Sequence, residues 1–330
     1  MNAHDQMADG ARAETRKAER APDFVIGGAP KCGTTSLHFI LGQHPDIGIP
    51  DDEVSYFDAD DPIIHPDYFF FENDGMRWKD ARPDHDANRA WYFDRFASFA
   101  DRALIGEDST LYLFSEAAPH RLKEAAPAAK VIFMLRDPVK RAVSQYWHEM
   151  SMMRVTCSFE RALVRHPPII RGSIYRSHLE RWLSILGPER VKIILFEDFI
   201  ARQQEILDEV ADFIGAKRFD ASSYDLWFNK TYYPISVTGQ KILNRAGQYV
   251  ALQRYRSHIN GQNTRKERIA NKIYQTWFHK VNPILLKATN RPATQPETLA
   301  FLTQHLNACN QGLSSLLDRD LSDVWPGFDG

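Results

Sequence analysis

The chain has 330 residues, 43% of them hydrophobic and 25% charged, with 41 basic against 43 acidic side chains and a formal net charge of −2. This is the composition of a folded globular protein, and it excludes a disordered chain, a collagen-like fibre and a disulfide scaffold. Near-neutral charge argues against bulk attraction to nucleic acid. Three scattered cysteines (Cys32, Cys157 and Cys309) suit reduced thiols in the cytoplasm, and no apolar run reaches the ~20 residues of a membrane-spanning helix.

In chain order, residues 1–22 are polar and read as a mobile tail. Residues 23–330 read as one domain carrying a helical, basic insertion at about 238–290. Asp23–Gly28 (DFVIGG) is a short buried strand running into glycines, and Thr34–Gln43 has helical spacing. Asp46–Arg89, rich in Asp, Pro and aromatics, reads as long loops. Ala103–Gly106 reads as a strand, Ser115–Ala125 as a helix and Lys130–Leu135 (KVIFML) as a buried strand. Asp137-Pro138 then supplies an N-cap and a proline at the first helical position of a helix to about Met152. Further helices are expected over Ser173–Leu186, Phe199–Ile214 and Pro296–Leu317, with a strand at Val191–Phe196. Strands alternating with helices imply an α/β fold, a central mostly parallel sheet flanked by helices in three layers.

The charges are unevenly spread. Asp46–Asp74 holds ten acidic residues and no Lys or Arg, whereas Lys241–Arg291 holds eleven basic residues and one acid, Glu267. These are solvated faces, or faces that meet each other, or a surface for a charged partner. The basic stretch is dotted with Tyr249, Tyr255, Tyr274, Trp277 and Phe278, which opens a peripheral membrane contact.

Chemistry concentrates in two places. Gly27-Gly28-Ala29-Pro30-Lys31-Cys32-Gly33-Thr34-Thr35-Ser36 lies between a strand and a helix, the context of a phosphate cradle. Gly28 and Gly33 have the spacing of a P-loop, but Thr34 stands where its lysine follows the second glycine, and the lysine is instead Lys31. The second is Ile132–Tyr146 (IFMLRDPVKRAVSQY). It delivers Arg136 at the C-terminal edge of a strand, where parallel sheets bind ligands, and Ser144 two turns into the next helix.

Together these segments resemble the sulfotransferases that use 3'-phosphoadenosine 5'-phosphosulfate (PAPS), and in particular their carbohydrate branch. Supporting likenesses are Gly106–Tyr112, Gly172–Tyr175 with Trp182, Phe196–Asp198, Phe228–Thr231 and Leu313–Trp325. The resemblance implies a P-loop-like fold. It implies PAPS held by Lys31, Cys32, Gly33, Thr34, Thr35 and Ser36 at the phosphosulfate, and by Arg136, Ser144 and Tyr175 at the nucleotide, with Lys287 and Arg291 closing over it. The product is then 3'-phosphoadenosine 5'-phosphate (PAP), and no metal is expected. Asp51–Asp58 (DDEVSYFD) resembles the family's acceptor loop, so Glu53 matches the catalytic base beside Lys31, with Asp52, Ser55, Asp58 and Asp108 toward the acceptor. Asp52 stands where lysine is usual, Ser55 where histidine is usual, and Asp108 where heparan-type enzymes carry lysine. The implied reaction is in-line sulfuryl transfer to a hydroxyl or amine of a sugar, glycolipid or small metabolite. Two alternatives stay open: a P-loop nucleotide kinase, with Glu197-Asp198 as its acidic strand end, and a non-catalytic nucleotide- or membrane-binding protein.

Overall fold

The computed structural model describes residues 20–72, 75–78, 86–218, 220, 232–252 and 265–329. Its strands are β1 (Phe24–Gly28), β2 (Ile47–Gly48), β3 (Phe69–Glu72), β4 (Gly75–Trp78), β5 (Leu104–Asp108), β6 (Lys130–Leu135), β7 (Val191–Leu195), β8 (Tyr233–Pro234) and β9 (Leu286–Ala288). Five of them form a wholly parallel sheet in the order β2-β5-β1-β6-β7. The central strands are covered on both faces. This is why β1 reads as an uninterrupted apolar run, with Phe24, Val25 and Ile26 fully buried.

The helices are α1 (Thr34–Gly42), α2 (Asp86–Asp94), α3 (Ala118–Ala125), α4 (Pro138–Ser151), α5 (Phe159–Arg165), α6 (Pro168–Arg171), α7 (Arg176–Leu186), α8 (Phe196–Ala201), α9 (Gln203–Ile214), α10 (Val237–Leu252), α11 (Arg265–Thr276), α12 (Pro296–Cys309) and α13 (Leu313–Leu316). On one side of the sheet α3 packs against α7, whose Trp182 meets Phe133 of β6 edge-on at 5.1 Å. On the other, His44, just past α1, bonds the Lys217 carbonyl just past α9 at 3.0 Å. A second apolar cluster joins α4 to α12 through Val143, Tyr146, Trp147, Leu302 and Leu306. Among the described residues no helix is long and apolar enough to cross a membrane.

The N-cap reading at Asp137 holds. Its carboxylate accepts from the Val139 and Lys140 amides at 2.9 Å each, which contributes about 1 kcal/mol. Several expectations are corrected. Residues 46–89 are not all loop, because β2 pairs with β5, the four-residue strands β3 and β4 make a hairpin, and α2 begins at Asp86. The strand expected at Ala103–Gly106 runs on through Asp108, and the strand expected through Phe196 stops at Leu195, where α8 starts. The helix expected over Phe199–Ile214 is two helices meeting at Arg202, and that over Pro296–Leu317 ends at Cys309 and restarts at Leu313 after Gly312, whose φ of +83° lies outside α-helical geometry. The expected Ser173–Leu186 helix starts only at Arg176. Most of the 1–22 tail, Tyr255 and the Phe228–Thr231 segment lie outside the described residues.

Candidate active site

The loops after β1, β5, β6 and β7 meet at the carboxyl edge of the sheet, beside the point where β1 is flanked by strands that follow it in opposite directions. That edge is where open α/β sheets bind ligands. The β1–α1 loop is bent by Lys31 at φ 70° and Gly33 at φ 93°. Gly33 has to be glycine for a second reason, since a Cβ there would lie 2.7 Å from the Phe196 ring. Two arginines hold the loop by its carbonyls: Arg141 Nε donates to Pro30 O at 3.1 Å and Arg136 Nη1 to Lys31 O at 3.3 Å. With these carbonyls engaged and no side chain capping the start of α1, the first amides of that helix remain available to an anion.

Three cations therefore converge on one loop. Burial lowers the Lys31 pKa from its ordinary value, and the charges of Arg141 and Arg136 lower it further. Lys31 Nζ sits 3.5 Å from His148 Nδ1, and burial beside that lysine pushes His148 down to about 3, so the imidazole is neutral at physiological pH. Arg136 lies 4.8 Å over the Phe196 ring, and its Nε is buried with no protein partner. A buried guanidinium N–H without an acceptor carries a desolvation cost of ~1–3 kcal/mol that a bound anion would remove. These features fit a nucleotide phosphosulfate. Ser144 is half-buried on α4, one turn before His148.

Cys32, Thr34 and Tyr175 lie behind this surface. Cys32 is fully buried, and its thiol is pushed up to about 11 by burial. Tyr175 is also fully buried. Its hydroxyl donates to the Arg136 carbonyl at 2.9 Å and its amide to Asn310 Oδ1 at 2.7 Å, so it braces the loop from below and presents no open face to an adenosine. Thr34 is buried, while Thr35 and Ser36 are half-exposed on the first turn of α1. Lys287 and Arg291 are exposed, on β9 and just after it, and no contact joins them to the loop among the described residues.

The acceptor-side residues separate into layers. Thr110 Oγ1 donates to Glu53 Oε1 at 3.0 Å. Glu53 is exposed as a residue, but its carboxyl is held against the buried Thr110. Lost solvation there, and then the neighbouring Asp108 charge, raise its pKa to about 7. Asp108 is buried, 3.2 Å from His38 Nδ1, and burial raises its pKa as well. Asp58 is fully buried 2.9 Å from His65 Nε2, and Ser55 is buried at φ 45° with its amide bonded to Ser109 Oγ at 2.8 Å. Asp58 and Ser55 thus hold the loop's shape from inside, contrary to the expectation that they face an acceptor. Asp52 is exposed.

Several residues that matter here were not singled out from sequence. Arg141 is buried and also donates to the Pro168 and Ile169 carbonyls. Glu107 is fully buried beneath the Glu53 loop and accepts from Tyr92 OH at 2.6 Å and Ser109 Oγ at 2.8 Å; burial raises its pKa to about 7. Tyr112 OH in turn accepts from the Tyr56 and Phe57 amides at 2.8 and 3.1 Å. Helical spacing places Arg141, Ser144 and His148 along one stripe of α4, a signal present in the sequence. The burial of Glu107 and its bond from Tyr92, 15 positions away, leave no such local signal. The acidic segment is matched piecemeal, with Asp60 paired to Arg121 and Asp46 to Lys217. Glu197 accepts from the Asp137 amide and Trp325 Nε1, and Asp198 is paired with Arg319 and Arg202, so the strand end suggested for a kinase is occupied by structural contacts.

Known proteins resemble this chain in sequence and fold. Human heparan sulfate glucosamine 3-O-sulfotransferase 3B1 is 26% identical over 223 residues, 65% of this chain and 51% of that protein. Human bifunctional heparan sulfate N-deacetylase/N-sulfotransferase 3 is 30% identical over 219 residues, 62% of this chain and 23% of that protein. The chain thus spans about half of the first relative's length and about a quarter of the second's. A sulfotransferase structure from Alicyclobacillus acidocaldarius superposes with a TM-score of 0.58 at 24% identity, covering 92% of this chain and 98% of that one, which establishes the shared fold. Residues 22–220, which contain the cation-lined loop, the Glu53 segment and the α4 stripe, match the family described as "Sulfotransferase family", and the chain belongs to that family.

Proposed function

We propose that this protein is a PAPS-dependent sulfotransferase acting on a hydroxyl or amine of a sugar, glycolipid or small-metabolite acceptor. The observation that carries the reading is the convergence of Lys31, Arg136 and Arg141 on one inverted loop, with an unpartnered buried Nε on Arg136. When bound, PAPS supplies the sulfuryl group. Lys31 and the first amides of α1 hold the phosphosulfate and stabilise negative charge developing on the leaving side. Arg136 and Ser144 hold the 3'-phosphate. Glu53, raised to about 7, takes the proton from the acceptor, a task suited to a carboxyl poised near neutrality. His148, neutral beside Lys31, orients the ammonium without adding charge.

Acceptor class follows from charge. Glu53, Asp108 and Asp52 give that end of the cleft an acidic character, which favours a neutral or cationic acceptor and disfavours a polyanion. The relatives' names specify heparan sulfate, so a sugar hydroxyl or amine is the natural starting point and its sulfated polymer the less favoured one. Free Cys32, Cys157 and Cys309 support a reducing, cytoplasmic setting.

The reading is tested by following PAP release with neutral, amine-bearing and anionic sugars, for wild type and Lys31→Ala. The variant is expected to lose about two to three orders of magnitude in turnover while PAP binds within about tenfold of wild type. Near wild-type turnover, or stabilisation by magnesium-ATP in place of PAP, would overturn it.

A further inference from the structure

Helix α10 carries its polarity in reverse, and its neighbour α11 also exposes apolar residues. The stripe of α10 that meets the rest of the molecule is polar: Gln240 Nε2 donates to Asn244 and Asn282, and Asn244 Nδ2 donates to the Met150 and Val155 carbonyls at 2.8 Å each. Gly247 continues this stripe and lies against Met153 and Trp277. The opposite stripe, at helical spacing, holds Ile242, Ala246 and Tyr249, all exposed. On α11, which packs against α10, Ile269 and Ile273 are exposed one turn apart, followed by Ile284. Ile242, Tyr249, Ile269, Ile273 and Ile284 are each more than half exposed. An ordinary surface helix turns such residues inward and its amides outward.

The same segment is strongly basic, with eleven Lys and Arg against one acid between Lys241 and Arg291. Arg245 on α10 and Lys272 on α11 are exposed on the same stripes as the isoleucines. We propose that this face docks on an anionic lipid bilayer, its basic side chains among the headgroups and its isoleucines and Tyr249 in the interfacial layer. Charge and apolarity together select this partner. A second copy would set two basic faces against each other, and a nucleic acid would neutralise the charge but leave the isoleucines in water. The amide network fastens the face to the end of α4, the helix that carries Ser144 and His148, so docking holds the site at a fixed height over the lipid.

The test is co-sedimentation of the full chain with phosphatidylglycerol-containing vesicles and with pure phosphatidylcholine vesicles. Binding is expected only to the anionic vesicles and is expected to fall with salt. The Ile269→Ser/Ile273→Ser variant should weaken it about tenfold or more with an unchanged melting temperature. Tyr249→Trp gives a second readout that needs no destabilising change: the emission it adds to that of wild type should shift to the blue on anionic vesicles. Equal binding to both vesicles, no binding to either, or an added emission in Tyr249→Trp that lipid leaves unchanged would overturn the proposal. So would concentration-dependent dimerisation that the isoleucine variant abolishes, or RNA binding that it leaves intact.

Discussion

A carboxyl with its pKa at about 7 makes a quantitative demand on the pH profile. If Glu53 must be ionised to accept the proton, its ionised share is roughly one tenth at pH 6 and roughly nine tenths at pH 8, so kcat/KM should rise about tenfold between them. A carboxyl at the ordinary value of 4.5 would be almost fully ionised at both, and the ratio would be close to one. Asp108 is the informative perturbation, because its charge is the largest cause of the shift after burial itself. Asp108→Asn keeps the volume and removes the charge, which lowers the Glu53 pKa. The acid limb then moves to lower pH and the ratio between pH 8 and pH 6 shrinks. The two carboxyls lie together, so the wild-type limb belongs to the pair, and the variant reports Glu53 alone. Glu53→Gln should cost about 10²–10⁴ in kcat on the alkaline plateau and correspondingly less along the acid limb. The assay is steady-state PAP release across pH 5.5–9 at saturating PAPS. A wild-type limb near pH 4.5, or a limb that Asp108→Asn does not move, refutes the assignment of Glu53 as the base.

Three further outcomes follow from other parts of the site. Arg136→Ala should weaken PAP by about 10–150-fold, the equivalent of ~1.5–3 kcal/mol, and leave AMP nearly unchanged; calorimetric titration of both nucleotides decides, and equal losses would mean that Arg136 only supports the loop. Glu107 has its folded-state pKa raised from 4.5 to about 7, so the folded state holds its proton more tightly than the unfolded chain. Stability is therefore lost as pH rises from about 4.5 through about 7, by on the order of 3 kcal/mol, and is flat above that window. Denaturant unfolding of wild type and Glu107→Gln should show a difference that changes across this range, and a constant difference would count against a buried neutral carboxyl. Cys32, fully buried with its thiol held up at about 11, should resist iodoacetamide at pH 8 while the native fold lasts, as peptide mass mapping will read; rapid labelling would mean that the loop opens.

The sequence by itself determined the parts of the site that are built locally. Gly28 and Gly33 flank Lys31 between an apolar strand and a helical stretch, and that order alone bends the loop at the sheet edge. Asp137-Pro138 starts α4 for the same kind of reason: an N-cap and a fixed φ act within three residues. Arg136 and Ser144 then fall at the strand end and on the following helix by spacing. What tertiary structure decided depends on partners far apart in the chain. Tyr175 has the look of a ligand contact in sequence, but packing places its hydroxyl on the Arg136 carbonyl beneath the loop. Asp58 and Ser55 sit in the same short segment as Glu53, yet one pairs with His65 in the interior and the other is pinned by Ser109. Glu53 stays on the exposed side of the segment, and its poise near neutrality comes from burial of its carboxyl and from Asp108, 55 positions away in sequence. Desolvation and charge proximity belong to the packed molecule, and no local pattern of residue types encodes them.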